Sequence, residues 1–403
     1  MNPGIQPGDM AYNFDEPVDR QGTSCVKYDS RKNVFGTDNV IPMWVADMDF
    51  KSPPFVIEAL RKRLEHEILG YTIRRKEYFS SLKEWVRRRI GWLIETDWIS
   101  FSPGIVPALN ICTLAFTKPG DKIIIQPPVY FPFFNAVTDH GRRLLYNRLL
   151  EDNGRWRMDF HDLEQKAAEG ARMLILCSPH NPVGRVWKEE ELEKLAEICL
   201  QYEILIVSDE IHSDLILPPY KHVPLAGLSD KIADLTLTCM APSKTFNIAG
   251  LSTSSMIISK PELKKLFDKK IESLHITGGN IFGNEASIAA YTYGDEWLDN
   301  MLKYVHRNVE YVLAEFRDNE FIKPVKPEAT YMVWLDCRKM RMKSAELSKF
   351  FINEAGIGMS EGSVFGPGGE GFMRINLACP FDTVKKAVEN IKNALLKLKD
   401  KND

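Results

Sequence analysis

Ile204-Leu-Ile-Val-Ser-Asp-Glu-Ile-His212 is a short apolar run that ends in charged and polar side chains. Similar runs recur through the middle of the chain, at residues 122–126, 173–177, 204–208, 235–240 and 255–258. Longer amphipathic stretches separate them, of which 188–202 is the clearest, with Leu192, Leu195 and Cys199 on one face. Near-continuous apolar strands that alternate with helices predict an α/β fold, with a mostly parallel sheet covered by helices on both faces.

The pattern changes after about residue 285. Charged helical stretches at 296–317, 344–355 and 382–399 surround two strand-like pieces, 331–336 and 371–377. This arrangement predicts a smaller α+β domain. We therefore expect a large domain over residues 51–285 and a small domain built from residues 1–50 and 286–403.

The composition argues against several classes of protein. Lys and Arg total 52 against 55 Asp and Glu, without a basic stripe, so we expect no nucleic-acid partner. The seven cysteines are widely spaced and include no C-x-x-C pair, which predicts neither disulfides nor a zinc site. No apolar run approaches the roughly 18 residues of a membrane span. Because the first 20 residues lack the pattern of a secretory signal, the expected compartment is the cytoplasm.

Three polar side chains directly follow consecutive predicted strands. Asn181 lies in Cys177-Ser-Pro-His-Asn-Pro-Val-Gly184, Asp209 ends the strand quoted first, and Lys244 lies in Ala241-Pro-Ser-Lys-Thr-Phe-Asn-Ile-Ala-Gly-Leu251. A lone lysine usually carries a solvated surface charge, but one at a buried strand end loses hydration, and its amine can then condense with an aldehyde. Open parallel sheets bind ligands at the carboxyl ends of their strands. The three side chains are therefore predicted to share one site.

Asp209 allows two interpretations. A carboxylate at a strand end can keep a pyridine nitrogen protonated, which makes the ring a better acceptor of electrons. Alternatively, Asp209, Glu210, His212 and Asp214 could bind a metal ion. No second group of His or Cys at ligand spacing supports the metal site.

A phosphate site is predicted in Trp98-Ile-Ser-Phe-Ser-Pro-Gly-Ile-Val-Pro-Ala-Leu-Asn110, which runs from a turn into an apolar helix. The free N–H groups of Ile105 and Val106 could face an anion at the start of that helix. The second glycine-rich stretch, Gly366-Pro-Gly-Gly-Glu-Gly371, leads into a strand and is interpreted as a turn.

The motifs S-P-H-N-P-V-G at 178–184, S-D-E-I-H at 208–212 and S-K-T-F-N at 243–247 together resemble the fold-type I enzymes of pyridoxal 5′-phosphate (PLP), the aspartate aminotransferase superfamily. The order and spacing match over essentially the whole chain. Within the superfamily, Pro42-Met-Trp-Val-Ala-Asp-Met-Asp-Phe50, with 178–187 and 241–250, resembles the cystathionine β-lyase (C–S lyase) branch. The resemblance implies β-elimination from cystathionine or cysteine-like substrates.

Two other functions stay open at the level of sequence. The same active-site residues serve transamination of an amino acid to a 2-oxo acid, so the list of residues cannot choose between lyase and aminotransferase. A regulatory protein that keeps the fold without the chemistry is a third hypothesis. Loss of Lys244 or Asp209 would favour it, and both residues are present.

The resemblance also implies roles for individual residues around the cofactor. Lys244 would form the Schiff base, Asp209 would pair with the pyridine nitrogen, Asn181 would donate to the ring oxygen, and Tyr130 would stack on the ring. Lys244, Asp209 and Tyr130 are thus the implied catalytic residues. The full set of implied cofactor-binding residues is Tyr71, Gly104, Ile105, Val106, Tyr130, Asn181, Asp209, His212, Ser243 and Lys244.

On the substrate side, the resemblance implies that Arg374, in Phe372-Met-Arg-Ile-Asn376, clamps the α-carboxylate by a bidentate pair. The implied substrate-binding residues are Trp44, Ala46, Asn181 and Arg374. Tyr71 matches a tyrosine that reaches the phosphate bound by the neighbouring subunit. A homodimer with shared active sites is the expected assembly.

Two positions depart from the common aminotransferase pattern. His212 stands where many aminotransferases have a tyrosine that bonds the ring oxygen, and Ser252 stands where an arginine usually follows the lysine by eight residues. The phosphate charge must therefore be balanced in another way.

Overall fold

A computed structural model describes residues 12–152 and 154–400. Residues 1–11, part of the stretch considered for a secretory signal, lie outside the described residues. The strands are β1 Ile41–Pro42, β2 Ile99–Ser102, β3 Lys122–Ile125, β4 Arg143–Tyr146, β5 Leu150–Asp152, β6 Arg155–Arg157, β7 Ala171–Cys177, β8 Leu205–Asp209, β9 Thr236–Met240, β10 Ser254–Ile257, β11 Lys323–Val325, β12 Met332–Asp336, β13 Ile357–Gly358, β14 Ser360–Glu361 and β15 Phe372–Asn376.

The described chain also forms α-helices of four to 21 residues. They are α1 Val26–Asp29, α2 Arg31–Phe35, α3 Pro54–Leu64, α4 Lys76–Arg89, α5 Ile105–Phe116, α6 Pro132–Thr138, α7 Phe160–Ala168, α8 Glu189–Gln201, α9 Asp230–Ala233, α10 Pro242–Thr245, α11 Pro261–Ser273, α12 Ile281–Tyr293, α13 Asp295–Glu315, α14 Ser344–Asn353 and α15 Phe381–Asp400. Among the described helices, none combines the length and the apolar character needed to cross a membrane.

The central sheet has seven strands in the order β2-β10-β9-β8-β7-β3-β4. Strands β4, β3, β7, β8 and β9 are parallel, and β10 is antiparallel to both of its neighbours. Alternate side chains of the parallel strands pack on opposite layers: Ile123 and Ile175 face the core shared with α5, α6 and α11, whereas Ile124 and Leu174 face α7 and α8. The predicted α/β class, with a mostly parallel sheet covered on both faces, is confirmed.

Two details differ from the sequence expectation. The stretch 99–102 is the edge strand β2 and not a turn before a helix, and β10 runs against the parallel strands. An apolar run carries no information on strand direction, which depends on the connection. Here residues 241–253, which contain the short helix α10, join β9 to β10.

The C-terminal part of the chain forms a second, four-stranded antiparallel sheet in the order β11-β12-β15-β14. The N-terminal segment joins this region because β1 pairs in parallel with β13. The predicted domain limit at residue 285 falls inside α12. The division into domains 51–285 and 1–50 with 286–403 stays a prediction.

Candidate active site

Adjacent strands β7, β8 and β9 carry three of the expected residues to one edge of the central sheet. Asn181 follows the carboxyl end of β7, Asp209 is the last residue of β8, and Lys244 lies on α10, directly after β9. The chain reverses at this edge after each strand, so their side chains share the rim at which open α/β sheets bind ligands.

Lys244 is half-buried, and its Nζ donates a hydrogen bond to the backbone oxygen of Ala46 at 2.7 Å. Burial lowers the pKa of its amine to about 8. Asp47 and Asp209 act in the opposite direction, and the positive charge of Arg374 adds to the lowering. A larger fraction of the amine is therefore neutral near physiological pH than in an ordinary lysine.

Asp209 is buried, and its Oδ1 accepts a hydrogen bond from the backbone N–H of Ile211 at 3.1 Å. Burial raises the pKa of this carboxyl to about 7, and the neighbouring Glu210 also raises it. A buried carboxylate gains most from a cationic N–H partner. The site thus presents an acceptor to which a protonated ring nitrogen is well matched.

Arg374, on β15, is buried and brings the second sheet into the site. Its Nη1 donates to Oδ1 of Asn181 at 2.9 Å, and its Nη2 donates to the backbone oxygen of Trp44 at 2.9 Å and to Oγ of Ser360 at 3.2 Å. Burial lowers its pKa to about 10. No carboxylate in the described part of the chain pairs with this guanidinium, which suits it to an external carboxylate.

Asn181 has a defined orientation because its Oδ1 accepts the hydrogen bond from Arg374. Its amide Nδ2 is left as a donor for another group. That orientation agrees with the predicted donation to a ring oxygen.

Charged residues of the site affect the ionisation of Tyr130 and His212. Burial raises the pKa of Tyr130, and both Arg374 and Asp209 act on it. Burial lowers the pKa of His212 to about 3, and the positive charges of Lys244 and Arg374 add to the lowering. The imidazole is therefore neutral, and its buried Nδ1 has no hydrogen-bond partner among the described residues.

Two of the acidic side chains in the metal interpretation, Glu210 and Asp214, have hydrogen-bond partners within the protein. Glu210 pairs with His222 at 2.7 Å and accepts a hydrogen bond from Ser208. Asp214 accepts hydrogen bonds from Trp85 and Thr245. In the described residues, no three side chains of His, Cys, Asp or Glu come together as a set of metal ligands.

The expected phosphate residues lie at the starts of two helices. Gly104 is the residue before α5, whose first residues are Ile105 and Val106, and Ser243 lies next to the lysine on α10. The first N–H groups of a helix have no partner within it and attract anions. Ser252 is exposed, in a left-handed conformation with a φ of 45° before β10, and its side chain carries no charge.

Tyr71 is an expected residue whose side chain the fold does not bring against the rest of the chain. It lies between α3 and α4 with its side chain fully exposed, and Ile68, Leu69 and Ile73 in the same loop are also exposed. Within one chain, Tyr71 therefore does not reach the site. Its proposed part in the partner's site stays a prediction.

Comparison with known proteins shows the family of the chain. The family model for aminotransferase class I and II matches residues 38–391. The chain belongs to this family. It is 44% identical to the cystathionine beta-lyase PatB of Bacillus subtilis, over 95% of this chain and all of that protein.

Two solved structures are similar to this chain in fold. Cystalysin from Treponema denticola, which contains a PLP cofactor, superposes with a TM-score of 0.94 at 39% identity, over 96% of this chain and 100% of that one. The PLP-bound C–S lyase from Staphylococcus hominis has a TM-score of 0.88 at 35% identity, over 97% and 100% of the two chains.

Several residues of the site were not singled out from the sequence. Tyr331 donates to the backbone oxygen of Ala46 at 3.0 Å, and the ring of Phe365 lies 4.8 Å from the guanidinium carbon of Arg374. Asp47 acts on the Lys244 amine, and Asn376 holds the segment that contains Asp47. Of these residues, Asp47 and Asn376 could have been identified from the sequence, because they lie in the family-like motifs 42–50 and 372–376.

Proposed function

We propose that this chain is a PLP-dependent C–S β-lyase. It cleaves the Cβ–S bond of cystathionine or a cysteine-like substrate and, with uptake of water, yields a thiol, pyruvate and ammonia. One observation carries the proposal: the Lys244 amine, the Asp209 carboxylate and the Arg374 guanidinium converge at the carboxyl edge of the sheet in a member of a PLP-enzyme family. The identity of 44% to a cystathionine beta-lyase supports the reaction.

The residues present fit PLP on chemical grounds. Asp209 offers a buried carboxylate of raised pKa for the ring nitrogen, and Lys244 offers an amine of lowered pKa for the aldehyde. The helix start at Ile105 and Val106 offers backbone N–H groups for the phosphate, and Asn181 offers an amide donor for the ring oxygen. Tyr130 has an aromatic face of a size that can cover the ring.

Bound PLP would supply an aldehyde that condenses with amines and a conjugated ring that accepts negative charge from Cα. Arg374 would hold the substrate carboxylate and so present the Cα–H bond to Lys244. The neutral Lys244 amine would then take the Cα proton. The Asp209 carboxylate would keep a proton at the ring nitrogen while the charge develops, and departure of the thiolate from Cβ completes the elimination.

Transamination is the alternative, because the matching family model describes aminotransferases. Both reactions need the same proton transfer at Cα. The purified protein should be assayed with cystathionine and, separately, with an amino acid plus 2-oxoglutarate. Release of thiol and pyruvate without a 2-oxo acid acceptor supports the lyase, whereas exchange of keto acids without thiol release would replace it with the aminotransferase.

The proposal extends to assembly and location. The exposed loop with Ile68, Leu69, Tyr71 and Ile73 supports a homodimer in which each Tyr71 reaches the partner's site. The cytoplasm is the proposed compartment, because thiols such as the seven unpaired cysteines stay reduced there.

A further inference from the structure

A single irregular segment, residues 44–50, contacts both Lys244 and Arg374 through its backbone. The oxygen of Ala46 accepts from Lys244 at 2.7 Å, and the oxygen of Trp44 accepts from Arg374 at 2.9 Å. These two carbonyl groups belong to residues that are two positions apart in the same segment. The position of the segment therefore sets where the amine and the guanidinium lie relative to each other.

Two asparagines tie the segment to the elements that carry those residues. Asn376, on β15 with Arg374, donates to the oxygens of Val45 and Asp47, each at 2.6 Å. Asn247, just after α10, donates to the oxygens of Met48 and Phe50 at 3.0 and 2.8 Å. Neutral hydrogen bonds thus hold the segment from one side.

Ion pairs to Asp47 and Asp49 also hold segment 44–50. Lys27, on α1, has 1% of its surface exposed, and its Nζ lies 2.9 Å from Asp49 and 3.7 Å from Asp47. Arg20 pairs with Asp47 at 2.6 Å and with Asp49 at 2.7 Å. The backbone oxygen of Lys27 also accepts the indole N–H of Trp44 at 3.0 Å.

This cluster has a feature that stability alone does not explain. Removing a lysine from water is costly, and apolar residues of similar volume often stabilise a fold as well as a buried ion pair does. Instead, two cations and two carboxylates form ion pairs next to Ala46, whose backbone oxygen accepts the hydrogen bond from the Lys244 amine. The four charged residues are Arg20, Lys27, Asp47 and Asp49.

We propose that Lys27 and Arg20 are positioning residues of the active site, which neutralise Asp47 and Asp49 and so hold segment 44–50 against Lys244 and Arg374. The inference rests on the proposed function. The charged groups that face Lys244 are Asp47 from the segment, Asp209 from β8 and Arg374 from β15, with His212 close by in neutral form. Lys27 and Arg20 are not in this set, and they act on Lys244 through their ion pairs with Asp47.

The sign of the effect follows from the charges. Loss of the Lys27 charge leaves Asp47 and Asp49 with one cation, so the extra negative charge stabilises a protonated nitrogen at Lys244. Loss of the Asp47 charge does the opposite. Mere loosening of the fold would admit water in both variants and shift the titration of that nitrogen in the same direction.

The test is a pH titration of the visible absorption of the holoenzyme, with Lys27→Met and Asp47→Asn compared with wild type. The midpoint is expected to rise by about half a pH unit or more in Lys27→Met and to fall by a similar amount in Asp47→Asn. Lys264→Met, which breaks a lysine–carboxylate pair of 2.6 Å on α11, is the control and should leave the midpoint unchanged. In Lys27→Met, KM for the amino acid should also rise several-fold more than kcat falls, because Arg374 loses its alignment.

Midpoints that do not move, or that move in the same direction in both variants, overturn the inference. If Lys27→Met does not fold, Arg20→Gln, at a partly exposed position, carries the same expected rise. A wild-type protein that takes up no PLP and shows no visible absorption would overturn the proposed function itself. A normal wild-type spectrum with unshifted variants overturns only the role of Lys27 and Arg20.

Discussion

At the scale of single residues, burial moves the pKa values of two opposite groups toward neutrality. The Lys244 amine comes down to about 8 and the Asp209 carboxyl comes up to about 7. Groups that exchange protons near the working pH are the usual equipment of acid–base catalysis. Lys244 and Asp209 carry out different tasks in the proposed reaction, so their substitutions should fail in different ways.

Lys244→Ala should abolish turnover, because it removes both the Schiff-base amine and the base for the Cα proton. Wild-type protein should be yellow, and borohydride reduction followed by peptide mapping should place the label on Lys244. A Lys244→Ala protein that still forms a reducible Schiff base with the cofactor would show that another lysine holds it.

Asp209→Asn should lower kcat by orders of magnitude while much of the cofactor stays bound. The carboxylate matters most when negative charge flows to the ring nitrogen, which makes its effect larger in the transition state than in binding. The measurement is kcat with the cofactor site saturated, alongside PLP content. Rates within a few-fold of wild type would remove Asp209 from its proposed role.

The pH dependence of kcat should report the Lys244 amine. Because only the neutral amine accepts a proton, the rate of Cα deprotonation should rise with pH until about 8, the pKa of this group, and then level off. A substrate deuterated at Cα identifies the proton-transfer step through its isotope effect. An isotope-sensitive rate that stays flat from about pH 6 to about pH 9 would contradict the assignment.

At the scale of elements, the loop that follows β7 is fixed by a buried ion pair between distant parts of the chain. Arg185, in this loop with Asn181, pairs with Glu328 at 2.5 Å, and the backbone N–H of Val186 donates to the same carboxylate at 2.8 Å. Gly184 completes the contact, because a Cβ at its φ of 71° would lie 2.9 Å from Pro327. The loop is thus held by residues just before β12.

Glu328→Ala should destabilise the fold by about 2 kcal/mol, because it leaves the Val186 N–H buried without this acceptor and leaves Arg185 with Glu191 as its remaining carboxylate partner. Urea unfolding of the holoenzyme measures the loss. Glu310→Ala is the matched control: Glu310 pairs with Lys326 at 3.3 Å, both side chains are about half exposed, and the expected change is within about 0.5 kcal/mol. Equal losses of unfolding free energy in the two variants would show that the buried pair stabilises the fold no more than the exposed pair does.

At the scale of the whole molecule, the exposed Tyr71 loop leads to a prediction about assembly. The active species should sediment as a homodimer, and Tyr71→Phe should weaken PLP binding more than it slows turnover at saturating PLP. The missing arginine at Ser252 should make each remaining phosphate contact matter more. A fully active monomer would rule out shared sites, whereas a dimer whose Tyr71→Phe variant binds PLP normally would rule out only the tyrosine's part.

The sequence by itself determined the five buried strands within one or two residues, together with the order of Asn181, Asp209 and Lys244 along the chain. It could do so because apolar runs and the polar residues that end them are local features, set by which side chains must leave water. The family-like motifs are local in the same sense, so they indicated the chemistry without any knowledge of contacts.

Only the tertiary structure decided which distant residues meet. The contact between Ala46 and Lys244 spans 198 positions, and that between Trp44 and Arg374 spans 330. The direction of β10 and the edge strand β2 also depended on pairing across the sheet. Hydrogen bonds to backbone carbonyls and the charge balance around Asp47 depend on three-dimensional distance, and no local pattern of side chains encodes that distance, which is why the positioning role of Lys27 was invisible in the sequence.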